Sequence, residues 1–123
     1  LTMAYVRRAL ADNVRHAELF FDPQTHTERG VPMATVFAGI AGALRQARTE
    51  HGFSSRMILC FLRHLSEEDA FATLDQALPL RAEYADLWIG IGLDSDPECV
   101  VVGRCGEADA DIARQRAQRP EFD

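Results

Sequence analysis

Three short polar clusters each stand directly after an apolar run: Asp22-Pro23-Gln24-Thr25-His26-Thr27, Arg63-His64 and Asp94-Ser95-Asp96. Brought together, such side chains bind metal or move protons. An imidazole changes charge near neutral pH, and a carboxylate can orient it or share a cation with it. His26, His64 and Asp94 are therefore the candidate ligands or proton carriers. The alternative is that they only tie strand ends together. No two histidines stand at the spacing of a local metal motif.

Glu18 lies inside an apolar run and shares parity with Asp22. A carboxylate buried there needs a partner. Arg63, at the end of the next apolar run, is within reach if the two runs are neighbouring parallel strands about 4.8 Å apart. A Glu18–Arg63 or Asp22–Arg63 bridge at the rim is expected. His16 and His51 read as solvent-facing or helix-end residues.

The elements that would position these groups alternate. Residues 2–12 read as the end of a helix, with Met3, Val6 and Leu10 on one side and Asn13 as a stop signal. Residues 14–21 form a strand-length run closed by Asp22-Pro23, and 24–32 read as a polar loop. Met33, Val36, Phe37, Ile40, Leu44 and Ala47 follow helical spacing over 33–50, ending at Gly52. Residues 57–62 are continuously apolar, as in a parallel strand covered on both faces. A second complete helix opens at Ser66, whose hydroxyl can cap it; Glu67, Glu68 and Asp69 suit its positive end. Its expected buried stripe is Ala70, Phe71, Leu74, Ala77 and Leu78. A third strand covers 87–93.

The order α-β-α-β-α-β predicts an α/β chain with about three parallel strands and right-handed crossovers. Each β-plus-α unit suits a (β/α)8 barrel, of which three strands are an incomplete part. The order alone leaves an open, flavodoxin-like sheet as the alternative. After Asp96-Pro97 the character changes: 98–102 is a short apolar run, 103–123 is polar and charge-mixed, and 108–118 can form a short helix outside the core.

The chain has 123 residues and a formal net charge of −6, with 13 basic residues, all arginine, scattered along it. That excludes a basic stripe for nucleic acid. No apolar run approaches the roughly 18–20 residues that span a bilayer, and the first residues lack the pattern of a signal peptide. Three cysteines cannot all pair within the chain, and Cys99 and Cys105 are too far apart for a zinc half-site. A reduced, cytoplasmic chain is expected.

The segment Asn13-Val14-Arg15-His16-Ala17-Glu18-Leu19-Phe20-Phe21-Asp22-Pro23-Gln24-Thr25-His26 resembles the second-strand segment of the adenosine/adenine deaminase family. Ile58-Leu59-Cys60-Phe61-Leu62-Arg63-His64 is similar to its third strand, and Gly90-Ile91-Gly92-Leu93-Asp94-Ser95 to its fourth. The run from Phe21 to Gly30 points to the bacterial and fungal adenine deaminase branch. The resemblance covers about residues 1–95 and implies strands two to four of a zinc-dependent (β/α)8 barrel that replaces a purine amine with oxygen. In that family a His-x-His pair, a further histidine and an aspartate hold zinc, and the glutamate of a His-Ala-Gly-Glu segment shuttles protons. The metal lowers the pKa of a bound water that attacks the ring.

None of those motifs occurs in this sequence. The resemblance therefore implies no catalytic residue and no metal ligand here, and zinc only in the full-length family. Carried over residue by residue, only Asp94 and Ser95 fall near the substrate, a purine base or nucleoside. Where the family continues Ser-Glu-x-Gly-His-Pro, this chain reads Asp96-Pro97-Glu98-Cys99-Val100. The expected organisation is a partial deaminase barrel over 1–95 and a divergent polar tail over 96–123, with an interrupted reading frame as one account of the change. The expected family function is hydrolytic deamination of adenine or adenosine, with this chain inactive by itself. The alternative is a non-catalytic remnant that self-associates through exposed sheet edges.

Overall fold

A computed structural model describes residues 1–94. Ser95, the 98–102 run, the 108–118 helix and the tail as a whole lie outside the described residues. Helix α1 (Thr2–Ala11) leads into strand β1 (His16–Phe21). A four-residue helix α2 (Gln24–Thr27) and the long helix α3 (Met33–His51) follow, then β2 (Ser54–Leu62), α4 (Glu67–Ala77), a 3-10 turn (Leu78–Leu80) and β3 (Trp88–Asp94). The three strands are parallel in the order β1-β2-β3.

Local chemistry accounts for the boundaries. Pro32 caps α3 without needing an N–H, and Gly52, at φ 64°, ends it in the left-handed region that a side chain disfavours. Only Gly52 and Phe53 separate α3 from β2, and Phe53 is buried. The Ser66 hydroxyl accepts the Asp69 amide at 3.1 Å, and three acidic residues occupy the first turn of α4. β2 begins at Ser54, three residues earlier than its apolar run, because His16, Ala17 and Glu18 of β1 extend the pairing to Ser54, Ser55 and Arg56. β1 begins at His16, leaving Val14 exposed in the connection. The stretch expected to be all loop contains α2, closed by backbone bonds from His26 and Thr27 to the Pro23 carbonyl.

The core lies between the helices and one face of the sheet. Phe37 of α3 is its centre: its ring meets Phe21 at 5.2 Å, Tyr84 at 5.2 Å and Trp88 at 5.3 Å. Met57 and Leu59 are buried beside Leu44, Phe53 and Leu87. Two members of the expected α4 stripe are corrected: Phe71 is 57% exposed and Leu78 50%. The residues of α4 that approach the core are Ala70, Thr73, Leu74 and Ala77, spaced i, i+3, i+4, i+7. Phe71 and Leu78, seven apart, form a separate strip beside that stripe.

Strand parity gives the sheet two different faces. Leu59 and Phe61 of β2 face the helices, and register places Ile91 and Leu93 of β3 on the same side. The opposite face carries Phe20, Ile58, Cys60, Gly92 and Asp94. A bulge sits at the start of β3: Met57 pairs with Trp88, but Ile58 pairs with Gly90. The extra residue, Ile89, lets Trp88 turn into the core while Gly90, Gly92 and Asp94 share the open face.

Candidate functional site at the carboxyl ends of the strands

In parallel α/β folds ligands sit where strands end. Asp22 follows β1, Arg63 and His64 follow β2, and Asp94 closes β3. Continuing the β1–β2 register by one residue sets Asp22 level with Cys60, which is level with Gly92. Asp94 stands two residues further along, beside Leu62.

Asp22 and Asp94 stand on the same open face of the sheet. Burial pushes the Asp22 carboxyl up to about 6, helped by the negative charge of Asp94 and a hydrogen bond between the two carboxyl groups. Asp22 Oδ1 is buried with no hydrogen-bond partner among the described residues. The same surroundings act on Cys60: burial first, then Asp22 and Asp94, raise its thiol above the ordinary value. The Cys60 Sγ lies 3.1 Å from where a Cβ at Gly92 would stand. Glycine at 92 thus leaves the row open.

The expected bridge to Arg63 is not formed among the described residues. Glu18 is paired instead with His16 on its own strand, at 3.6 Å, and His16 also bonds the Ser54 hydroxyl at 2.8 Å. The Arg63 side chain is exposed, and no cation is among the causes acting on Asp22. The Arg63 amide donates to the Asp94 carbonyl at 3.0 Å, so its contribution to the rim comes through the backbone.

His26 lies in α2, its Nδ1 3.0 Å from an Arg29 guanidinium nitrogen. His64 is half-buried in the turn after β2. Among the described residues no three of His, Cys, Asp and Glu are placed to hold a metal ion. The donor set of the described residues does not fit a resident zinc.

Sequence reasoning passed over one rim residue. Gln24 is buried, and its Oε1 accepts the Leu62 amide at 2.7 Å, so the start of α2 ties down the end of β2. A lone glutamine in a polar run carries no signal of such a long-range bond. Alongside the edge of β1 that faces away from β2 runs a groove of about 560 Å³, lined by Leu19, Phe20, Asp22 and His26 and by Val36 and Ile40 of α3. Asp22 therefore borders both this groove and the open face.

Parallel strands in chain order, helices on one face and polar groups gathered at the carboxyl ends define an unclosed segment of a (β/α)8 barrel. The sequence profile of the adenosine deaminase family matches residues 1–108, and the chain belongs to that family. It is 73% identical over 95 residues to the adenine deaminase of Cupriavidus metallidurans, covering 77% of this chain and 26% of that protein. Against the adenine deaminase of Ralstonia pickettii the identity is 67% over 95 residues, covering 77% and 28%. The chain thus spans about a quarter of the length of these curated relatives.

Solved structures give the same placement. An adenine deaminase from Arthrobacter aurescens superposes with a TM-score of 0.69 at 41% identity, covering 96% of this chain and 35% of that one. An amidohydrolase from Burkholderia ambifaria, crystallised with bound Zn, gives 0.70 at 31% identity, covering 94% and 30%. No helix among the described residues is long and apolar enough to cross a membrane.

Proposed function

We propose that residues 1–95 supply strands two to four of a hydrolytic purine deaminase barrel acting on adenine, with adenosine second, and that the 123-residue chain alone does not turn over. The observation that carries this reading is a parallel sheet with Asp22 and Asp94 at the carboxyl ends of β1 and β3, in a chain 73% identical over 95 residues to an adenine deaminase. In this reading Asp94 and Ser95 stand at the purine's mouth, where a carboxylate can accept an N–H of the base. Glu18, Asp22 and Arg63 belong to the supporting rim. Zinc and the acid/base groups belong to the remainder of a full-length barrel, and this sequence has neither a His-x-His pair nor a His-Ala-Gly-Glu segment.

Conversion of adenine to hypoxanthine by the purified chain, with added zinc, tests this. No turnover above the buffer is expected; turnover that persists through repurification would overturn it.

A second reading, a non-catalytic fragment that associates with itself, is favoured by one observation. Ile91 and Leu93 are 57% and 58% exposed on the side of the sheet that elsewhere packs helices, and among the described residues β1 and β3 each have an unpaired edge. Gel filtration separates the two: association gives a mass that rises with concentration, whereas a monomer at all concentrations counts against it.

A further inference from the structure

We propose that the groove beside β1 takes β3 of a second copy of this chain, added as a parallel strand to the β1 edge, with Ile91 and Leu93 seated against α1 and α3. Resting on the self-association reading, this docking gives the association a direction and two unlike surfaces.

The groove has the outline of a missing strand. Its floor is the side of β1 turned away from β2, and its walls are Met3 of α1 and Val36, Gly39 and Ile40 of α3. Helices α1 and α3 pack on each other, and among the described residues no strand pairs with this side of β1. The Arg15 carbonyl accepts the Ser54 amide, so the odd-numbered residues of β1 turn their backbone groups to β2. His16, Glu18 and Phe20 turn theirs to the outer edge.

β3 is the strand that fits. The Asp94 carbonyl accepts the Arg63 amide, so Ile91 and Leu93 turn their backbone groups away from β2. Their side chains lie on the helix side of the sheet, more than half exposed. Added in parallel to β1, they share the parity of Leu19 and Phe21 and point at α1 and α3. The two side chains stand about 6.6 Å apart along the strand, and the groove runs past residues 19–22 of β1, long enough for both. Gly39 supplies room, since a Cβ there would meet nothing within 4 Å. On the open face β3 presents Gly90 and Gly92, which leave Phe20 unobstructed. Asp94 set level with Asp22 would oppose two acids, so the docked register differs from that one by a whole pleat, which keeps the parity.

Like surfaces match less well. β1 against β1 of a second copy would offer Leu19 and Phe21, and Phe21 is already buried against Phe37 in its own core. β3 against β3 would cover Ile91 and Leu93 but leave the groove open. The unlike contact satisfies both surfaces and continues the parallel order with every helix on one side. It is head-to-tail, so a docked pair keeps one groove and one strand for further copies.

Sedimentation of the 123-residue chain over a concentration series tests this, with Gly39→Arg to fill the groove and Leu93→Arg to spoil the strand. Both positions are exposed, so the fold should be kept, and circular dichroism checks it. Wild type should gain mass with concentration, and each variant alone should stay monomeric. An equimolar mixture should reach twice the monomer mass and no more, since the groove of one variant takes the strand of the other. Hydrogen exchange of wild type needs no variant: the amides of Phe20, Ile91 and Leu93 should gain protection together as concentration rises. A wild-type chain monomeric at every concentration would overturn both this docking and the self-association reading. Association with a monomeric mixture, or with protection at one edge alone, would overturn the docking and leave that reading standing. Protection of the β1 edge that is independent of concentration would assign the groove to an occupant within one chain, which equally overturns it.

Discussion

Gln24 and Leu62 are joined by a 2.7 Å hydrogen bond from the Leu62 amide to the glutamine Oε1, across 38 residues of sequence. The bond closes the end of β2 with a side chain from the start of α2, at the rim that carries Asp22 and Asp94. Replacing Gln24 with leucine strands a part-buried amide, which costs about 1–3 kcal/mol. Gln24→Glu keeps the acceptor and should lose less. Urea denaturation of the three proteins checks the order.

Arg45 of α3 reaches the segment before β3. It donates to Asp86 at 2.8 and 3.3 Å and to the Glu83 carbonyl at 2.9 Å, with its guanidinium 5.1 Å from the Tyr84 ring centre. The bond to Arg45 is the main cause that holds the Asp86 carboxyl below its usual value. Because that value is depressed on folding, the contribution is present above the ordinary carboxylate range and fades as pH falls. Both side chains are about 40% exposed, so solvent screening limits Arg45→Met to roughly 1 kcal/mol at pH 7. The loss should shrink at pH 3. Asp22, raised to about 6 on folding, responds in the opposite direction, its contribution being lost as pH rises through that value.

Gly92→Ala places a methyl 3.1 Å from Cys60 Sγ. An alanine in a strand would ordinarily gain about 0.4–1 kcal/mol from reduced freedom of the unfolded chain. Cys60 is buried and has little room to retreat, so the substitution should be net destabilising by about 1 kcal/mol. Cys60→Ala should rescue it. A double-mutant cycle showing no coupling would locate the constraint elsewhere.

Arg63→Met should leave the thermal midpoint unchanged, since the Arg63 side chain is exposed and forms no ion pair among the described residues. A fall of several degrees would reinstate a bridge to Glu18 or Asp22.

Ile91→Thr with Leu93→Thr keeps β-branched or strand-compatible side chains while removing exposed apolar surface. The expected result is a lower apparent mass on gel filtration at high concentration, with far-ultraviolet circular dichroism unchanged.

Much of the architecture is legible in the residues. The continuous apolar run from Met57 to Leu62 marks a covered parallel strand, and Ser66 followed by three acids marks a helix start. Gly52 marks the end of α3, and three βα-like units in order mark the parallel sheet. Periodicity misjudges Phe71 and Leu78 because apolar type alone does not say which side of α4 meets the sheet. The Ile89 bulge leaves no compositional trace, since isoleucine suits any strand position. At the rim, reasoning from adjacent strands pairs Asp22 with Arg63. The carboxyl group that acts on Asp22 is instead that of Asp94, two strands away, across a row that carries only the small Cys60 side chain and Gly92.

The two-residue join between α3 and β2 has a cost that falls on the rim. Phe53 is anchored in the core and Gly52 is fixed by its backbone angle, leaving no slack to absorb a change in length. One inserted residue there would slide β2 by a single step and exchange its sides. Leu59 would then turn toward Asp22, and the cysteine would enter the helical layer. Tolerance for added length should therefore be sharply uneven: almost none at the amino-terminal entrance to β2, and considerably more between Thr27 and Pro32, where no strand register is at stake.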